Sequence, residues 1–326
     1  MPNPASLMPI PSSRRRPWWK LVLLAVGGLF LLYAGWAVGV YAGHWRGAKT
    51  TSVSQVAVLP AAMIGWQPLS LHAYLTQRQT VDHYTSYLTK NSPETFSGNQ
   101  TPDSRQVAMS KIIRDAATER LAKEFAVAVT STDLDQAFNA QLLQGGDRAE
   151  TTKAIKNLYN WTPEQFKQHV LRVAVTREKL REKLSFDETL NRAQRQQAER
   201  VYGLVQAAPT TFADLAKQYS EDVYGANGGD LGFFPRGEHA SEIDEAVFAL
   251  EVGGISELVH TKFGWHILRL EEKKEVDGQE QVHASQIFIA APSVDAYITS
   301  KINEWGVRLF LTEFSWDAKT GQAVVK

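Results

Sequence analysis

The chain has 326 residues, 44% of them hydrophobic, and its 35 Lys and Arg balance 35 Asp and Glu. That length accommodates two medium domains with additions, and a net charge of zero supplies no basic field for nucleic acid. The absence of cysteine excludes disulfides, thiolate metal sites and cysteine nucleophiles, and leaves the redox compartment open. The eight histidines form no H-x-x-x-H or H-E-x-x-H pattern, so no metal site is expected. Asn99-Gln-Thr101 and Asn160-Trp-Thr162 match the glycosylation sequon, a pattern short enough to arise by chance.

Arg14, Arg15, Arg16 and Lys20 precede Leu21–Gly43, which carries no charge and is long enough to cross a hydrocarbon core of about 30 Å as a helix. Trp18, Trp19 and Tyr41 sit where interfacial aromatics belong, and the excess of basic residues before the run puts residues 1–17 in the cytoplasm. The expectation is a single-pass anchor over 18–43 in the cell membrane. Everything after it is extracytoplasmic, in a periplasm or at the cell exterior. A cleaved signal sequence is the alternative, and either way the bulk is exported.

Residues 51–185 read as a mostly α-helical domain. Val53, Val56, Val58 and Leu59 suggest an extended lead-in, and a helix follows from Leu69 to about Thr89. Pro93–Pro102 is a loop by composition. Val107, Ile112, Ile113, Ala116, Leu121 and Phe125 mark one apolar stripe on a long helix from Ser104. Thr130–Asp133 caps the next, and Thr162-Pro163-Glu164 opens another with proline at the first helical position, running on to Ser185. Asp187–Ala207 is helical again. These helices alone carry no catalytic constellation.

Tyr219–His266 has a different character. Gly228 and Gly229 call for positive φ or for a close approach that a side chain would block. Leu231 and Phe233, on either side of Gly232, are apolar groups suited to line a groove. Ile243, Ala246, Val247 and Leu250 share a helical face that Gly253-Gly254 ends. Ile255–Val259 reads as a short strand and Trp265–Glu272 as a stronger one. Asp277-Gly278 is a hairpin signal before a further strand, Val282–Ile289. Val294–Leu311 is an amphipathic helix, and Phe314–Val325 a final strand or hairpin that could pair with 53–59. Periodicity alone gives an α+β unit with a Gly-rich, aromatic-lined concavity, and names no reaction.

Four spaced motifs go further. Phe212-Ala-Asp-Leu-Ala-Lys-Gln-Tyr-Ser220, the run Gly228-Gly-Asp-Leu-Gly-Phe-Phe-Pro-Arg-Gly237, Ala246-Val-Phe-Ala-Leu250 and Phe263-Gly-Trp-His266 together resemble the rotamase domain of the parvulin family. The helical half resembles, more diffusely, the N-terminal chaperone domain of the SurA/PrsA class. The resemblance implies a parvulin/FKBP-like α+β domain over 186–291 with a four-stranded antiparallel sheet. It also implies a SurA-like domain over 51–185, on which the C-terminal helix and tail, 292–326, pack back.

The implied activity is peptidyl-prolyl cis/trans isomerisation on unfolded or partly folded exported polypeptides with X-Pro bonds, without cofactor. Carried over by position, His266 is the strand histidine of the site and Asp222 stands where the family has Cys or Asp. Leu231 and Phe263 line the proline pocket, Phe233 is a further lining candidate, and Thr261 is the polar neighbour of His266. Two departures stand out: His239 replaces the usual Met and Ile243 the usual Phe, which implies weak turnover or a holdase that only binds clients. A tethered structural protein is a third reading.

The family's first strand, of the form A-S-H-I-L, has no counterpart before the domain's first helix. Val282-His-Ala-Ser-Gln-Ile-Phe-Ile289 matches it instead, with Gln286 in place of the histidine. Two explanations stay open. The domain is circularly permuted, or a second rotamase domain has been truncated after its first strand.

Overall fold

The computed structural model describes residues 32–43, 48–55, 59–92, 103–145 and 147–326. The expected cytoplasmic tail, residues 18–31 of the expected anchor and the loop at 93–102 lie outside them. Residues 32–41 are helical. Val40 is fully buried there, with Trp36, Ala37 and Tyr41 against the helical core, and the Tyr41 hydroxyl donates to the Pro60 carbonyl at 2.8 Å. Among the described residues no helix is long and apolar enough to cross a membrane.

The helical part contains α1 (Ala48–Ser54), α2 (Leu71–Asn91), α3 (Ser104–Glu124), α4 (Ser131–Gly145) and α5 (Arg148–Tyr159). It continues with α6 (Pro163–Phe166), a π-turn over Lys167–Leu171, and α7 (Arg172–Ser185). Helix starts follow capping chemistry. Ser70 and Asp103 accept the N–H groups of Ala73 and Arg105, and Thr162 and Gln165 form a reciprocal capping box ahead of Pro163. Thr130 and Asp133 exchange bonds in the same manner.

The stripe predicted on 104–125 holds. Ile113 and Leu121 are buried in one core with Leu71, Tyr74, Leu180 and Leu184. That core also takes in Val294, Ile298 and Ile302 of α11 (Val294–Trp305), so the C-terminal helix packs on the helical part.

Four readings are corrected. Of the expected lead-in, 53–54 are the end of α1, 56–58 lie outside the described residues, and the strand, β1 (Pro60–Ile64), begins later. The C-terminal helix stops at Trp305, because Gly306 turns at φ +78° and Val307–Leu309 leaves as a strand, β7. With β2 (Gln67–Ser70), β7 flanks β1 in a three-stranded sheet, while the final hairpin, β8 (Phe314–Asp317) and β9 (Gln322–Val325), pairs only with itself among the described strands. Ile255 makes a single bridge to Arg269, and the strand expected there is β4, Val259–Thr261.

A second, four-stranded sheet has the order β3 (Asp230–Pro235), β6 (Gln279–Ala290), β5 (Gly264–Val276), β4, with antiparallel neighbours throughout. The hairpin joining β5 to β6 turns at Asp277 and Gly278, both at positive φ, as an Asp-Gly two-residue turn requires. Strand alternation sorts the side chains. Leu268, Leu270, Val282 and Ala284 face α10 (Ser241–Phe248) and its Ile243, Val247 and Phe248. Ile267 and Ile287 face α8 (Arg192–Ala207) and α9 (Phe212–Tyr219) on the other side.

Gly229 is where the loop after α9 meets the sheet. It sits at φ +85°, and a Cβ there would lie 2.1 Å from the Gln286 carbonyl oxygen; its own carbonyl accepts the Gln286 N–H at 2.8 Å. Gly232 also has positive φ but open space around it. Gly229→Ala should therefore cost clearly more than Gly232→Ala, for which left-handed strain alone predicts about 1–2 kcal/mol. Urea unfolding of the two variants checks this, and equal losses would count against the close contact.

Candidate active site

Four side chains form a hydrogen-bonded row at one end of the sheet. From β5, His266 directs Nδ1 to Gln286 Oε1 at 3.1 Å and Nε2 to Thr261 Oγ1 at 2.9 Å. From β6, Gln286 Nε2 donates to Asp222 Oδ2 at 2.5 Å. All but Asp222 are buried, with Thr261 0%, His266 4% and Gln286 8% exposed. Each position has a local cause. Residues 266, 268 and 270 of β5 and 282, 284 and 286 of β6 alternate onto the same face, and the short β4 hairpin brings Thr261 beside His266.

Asp222 is fixed by its own loop. Its Oδ1 accepts from Ser220 Oγ at 2.8 Å and from the Gly225 N–H at 2.9 Å. Ser220 Oγ in turn accepts the Phe288 N–H at 2.9 Å, which ties the loop to β6.

Donor and acceptor roles run one way along the row. The Gln286 amide donates from Nε2 to a carboxylate, so its Oε1 must accept, and His266 must carry its proton on Nδ1. Nε2 is then a bare acceptor for the Thr261 hydroxyl, while Thr261 Oγ1 itself accepts the Phe263 N–H at 3.2 Å. Burial is the largest influence on His266 and pushes its pKa below the ordinary 6.5, against the opposing pull of Gln286, Asp222 and Glu242 and with a small contribution from His239. The imidazole is neutral near pH 7.

Around this row, Leu231 and Ile243 pack in the cluster of Phe234 and Phe248, and the His239 ring sits edge-on to Phe234 at 4.3 Å. Phe263, at the β4–β5 turn, is 47% exposed. The structure does not bring Phe233 to this group. Phe233 pairs with His283 across β3 and β6 and lies on the opposite face, its ring 5.0 Å from His283 and 3.5 Å from the Lys274 ammonium. Sequence reasoning missed Phe288, whose ring lies 4.8 Å from that of His266, and Ser220. Period-two alternation from Gln286 would have found the first; nothing local announces the second.

The β4–β5 turn is held from behind by the end of α7. Ser185 Oγ donates to the Lys262 carbonyl at 2.6 Å, and the Lys262 ammonium pairs with Glu178 at 2.6 Å.

An antiparallel sheet carrying this row on one face, with helices on both sides, has the α+β architecture of the parvulin-type rotamase. Comparison with known proteins agrees. Residues 169–272 match the family model of the rotamase, or PPIC-type PPIASE, domain. Over 66 residues the chain is 46% identical to a chaperone SurA of Chromobacterium violaceum, covering 20% of this chain and 15% of that one. Over 65 residues it is 48% identical to a foldase protein PrsA of a Geobacillus species, covering 20% and 24%. The crystal structure of a peptidylprolyl isomerase (PrsA) from Bacillus cereus overlaps 68% of this chain and 78% of its own at 20% identity, with a TM-score of 0.24, too loose to bear on the arrangement of the parts.

The chain thus carries a parvulin-type rotamase domain, and the matches reach less than a quarter of these SurA and PrsA relatives' lengths. The matched residues end at 272, before β6.

The depressed pKa of His266 has a consequence for stability. Below about pH 6.5 the unfolded chain takes up a proton that the folded chain resists, so ΔG of unfolding falls as pH drops from 6.5 towards the folded pKa and is fully regained above 6.5. Urea midpoints of wild type and His266→Asn between pH 5 and 8 should show the variant with the shallower pH dependence. Parallel curves would contradict a buried neutral imidazole.

Proposed function

We propose that the chain is a membrane-anchored, extracytoplasmic peptidyl-prolyl cis/trans isomerase that also acts as a folding chaperone for exported proteins. The row Asp222–Gln286–His266–Thr261, set beside Leu231, Ile243 and Phe263 within a rotamase domain, carries the reading. Rotation about a peptide bond faces a barrier of about 18–20 kcal/mol, and X-Pro bonds exchange in tens to hundreds of seconds. A catalyst needs no nucleophile. It has to favour the twisted amide over both planar forms.

In this reading Leu231, Ile243 and Phe263 receive the proline ring, with His239 at the edge of that pocket. His266, held neutral with its polarity fixed by Gln286 and Asp222, offers a preorganised dipole to the twisting peptide. Ser220 is a positioning residue for Asp222.

Strand β6 supports a circular permutation. It lies antiparallel between β3 and β5, the place where the family's first strand is expected, and delivers Gln286 to the histidine's position. The names of the relatives, chaperone and foldase, support unfolded or partly folded polypeptides as clients; the X-Pro bond rests on the match to the rotamase domain and export on the expected anchor. For the anchor over 18–43, the support is the uncharged run Leu21–Gly43 with its basic N-terminal flank; the last part of that run, with Trp36, Val40 and Tyr41, packs on the body. A second reading, a holdase with little turnover, is favoured by the non-titrating Gln286 and by the His239 ring against Phe234.

A protease-coupled proline-peptide assay on the full-length chain in detergent separates the two. Wild type should accelerate exchange, and His266→Ala should lose at least about tenfold, or about 1.4 kcal/mol of transition-state stabilisation. If both match buffer, the isomerase reading is lost, and suppression of client aggregation by the same preparations would leave the holdase.

A further inference from the structure

Outside the rotamase domain, a cavity of 740 Å³ lies between α3 and α7, with Val107, Arg114, Val170, Val173 and Arg177 among the residues that line it. Val107 and Arg114 are about two turns apart, as are Val170 and Arg177, so each pair runs along one helix face. Val107 and Val173 are half-buried, and neither packs on a buried hydrophobic cluster. Arg114 and Arg177 also line a second cavity, of 780 Å³, whose far wall is α11 and the β8–β9 turn with Lys319. The two cavities therefore meet at the guanidinium pair, apolar on one side and polar on the other.

The two guanidiniums converge on a single atom. Nη2 of Arg114 and Nη2 of Arg177 both donate to Asp295 Oδ1. Arg114 Nη1 further donates to Thr299 Oγ1 at 3.2 Å, whereas the bond to Asp295 is the one hydrogen bond of the Arg177 guanidinium among the described residues. A guanidinium has five donors, so Arg177, whose side chain is 32% exposed, keeps several for a further acceptor.

The carboxylates of the groove are taken. Asp115 pairs with Lys111, and Asp295 holds both arginines. Asp317, beside Lys319, accepts Thr320 Oγ1 at 2.8 Å and the Lys319 N–H at 2.9 Å. The Lys319 ammonium has no ion pair among the described residues. Lys111, Arg114, Arg177 and Lys319 thus stand against Asp115, Asp295 and Asp317, four cations against three carboxylates, in a chain of net charge zero.

We propose that this groove holds an extended polypeptide segment that carries an acidic side chain beside apolar ones. Same-side residues of an extended chain repeat about every 7 Å, so a carboxylate at the arginine pair leaves the next same-side residues to cover Val107, Val170 and Val173. A basic segment would meet the surplus cations with every carboxylate already engaged. An anionic lipid surface fits less well, because an element lying on a membrane turns its apolar face outward, and these valines stand between two helices. Each cavity falls within the roughly 300–1,000 Å³ of a small-molecule site; two meeting end to end suit a longer ligand. The proposal deepens the chaperone reading, on which it rests only in taking the segment as unfolded, by adding a charge rule for what is held.

The probe is Gly-Glu-Ser-Leu-Ser-Leu-Ser-Glu-Gly, acetylated and amidated so that its ends carry no charge, and titrated calorimetrically into the full-length chain in detergent. Its sequence reads the same in both directions, so the polarity of docking does not matter. Saturable binding is expected, at least tenfold weaker when Lys replaces both Glu and at least fivefold weaker when Ser replaces both Leu. Arg177→Gln should weaken the parent peptide at least fivefold. Should that variant not fold, Lys319→Gln, in an exposed turn, is read in its place with at least a twofold loss. No binding, equal affinity for the Lys peptide, or an unchanged affinity in the folded variant overturns the proposal. Arg177-dependent binding of phosphatidylglycerol vesicles without peptide binding overturns it in favour of a membrane surface. The peptide contains no proline, so isomerase activity does not enter. A chain that suppresses client aggregation yet binds none of these peptides would keep the chaperone reading and lose this one.

Discussion

Strand β6 is paired on both edges, with β3 from Asp230 to Pro235 on one side and with β5 from Gly264 to Val276 on the other. The polar row depends on that double pairing. It places Gln286 beside His266 across one pair and against Gly229 across the other. Because side chains alternate along a strand, a slip of one residue would turn Gln286 to the far face and bring Ser285 or Ile287 into the row. The register is held by burial on both faces, Val282 and Ala284 against one cluster and Ile287 against the other. Packing of the core and assembly of the site are therefore the same event.

Direction is the second property that follows. Along Asp222, Gln286, His266 and Thr261 each group has one choice of donor and acceptor once the carboxylate is in place. An amide in the middle cannot change charge, so the row has a fixed sense over the pH range in which a second imidazole would titrate. Burial reinforces this by keeping His266 neutral. The two turns that carry the outer members are tied down separately, Asp222 by Ser220 and Gly225, and Thr261 by a hairpin whose tip is bonded to Ser185 and Glu178. The end of α7 thus braces the site without touching it.

Much of this was legible in the sequence, for reasons that differ between its parts. Gly229 was readable because a backbone approach of 2.1 Å to a prospective Cβ tolerates no side chain. The Asp277-Gly278 turn was readable because its positive φ angles demand those residue types. Leu231, Ile243, Thr261, Phe263, Asp222 and His266 came from spaced motifs. Phe233 shows the limit of reading a motif as a block. Adjacent residues of a strand cannot share a face, and Phe233 and Phe234 divide between the two. The apolar pattern of the C-terminal helix runs on through Leu309 and Phe310, past the point where the helix ends. Gly306 and the unpaired edge of β1, which only the tertiary structure presents, override that pattern.

The most direct test of the central claim is the protonation state and tautomer of His266, read from its two ring nitrogens in a long-range 1H–15N spectrum between pH 7 and 9. The fixed polarity of the row predicts a neutral ring with the proton on Nδ1 across that range and Nε2 as a bare acceptor. A proton found on Nε2, or a titration centred near 6.5, would contradict it.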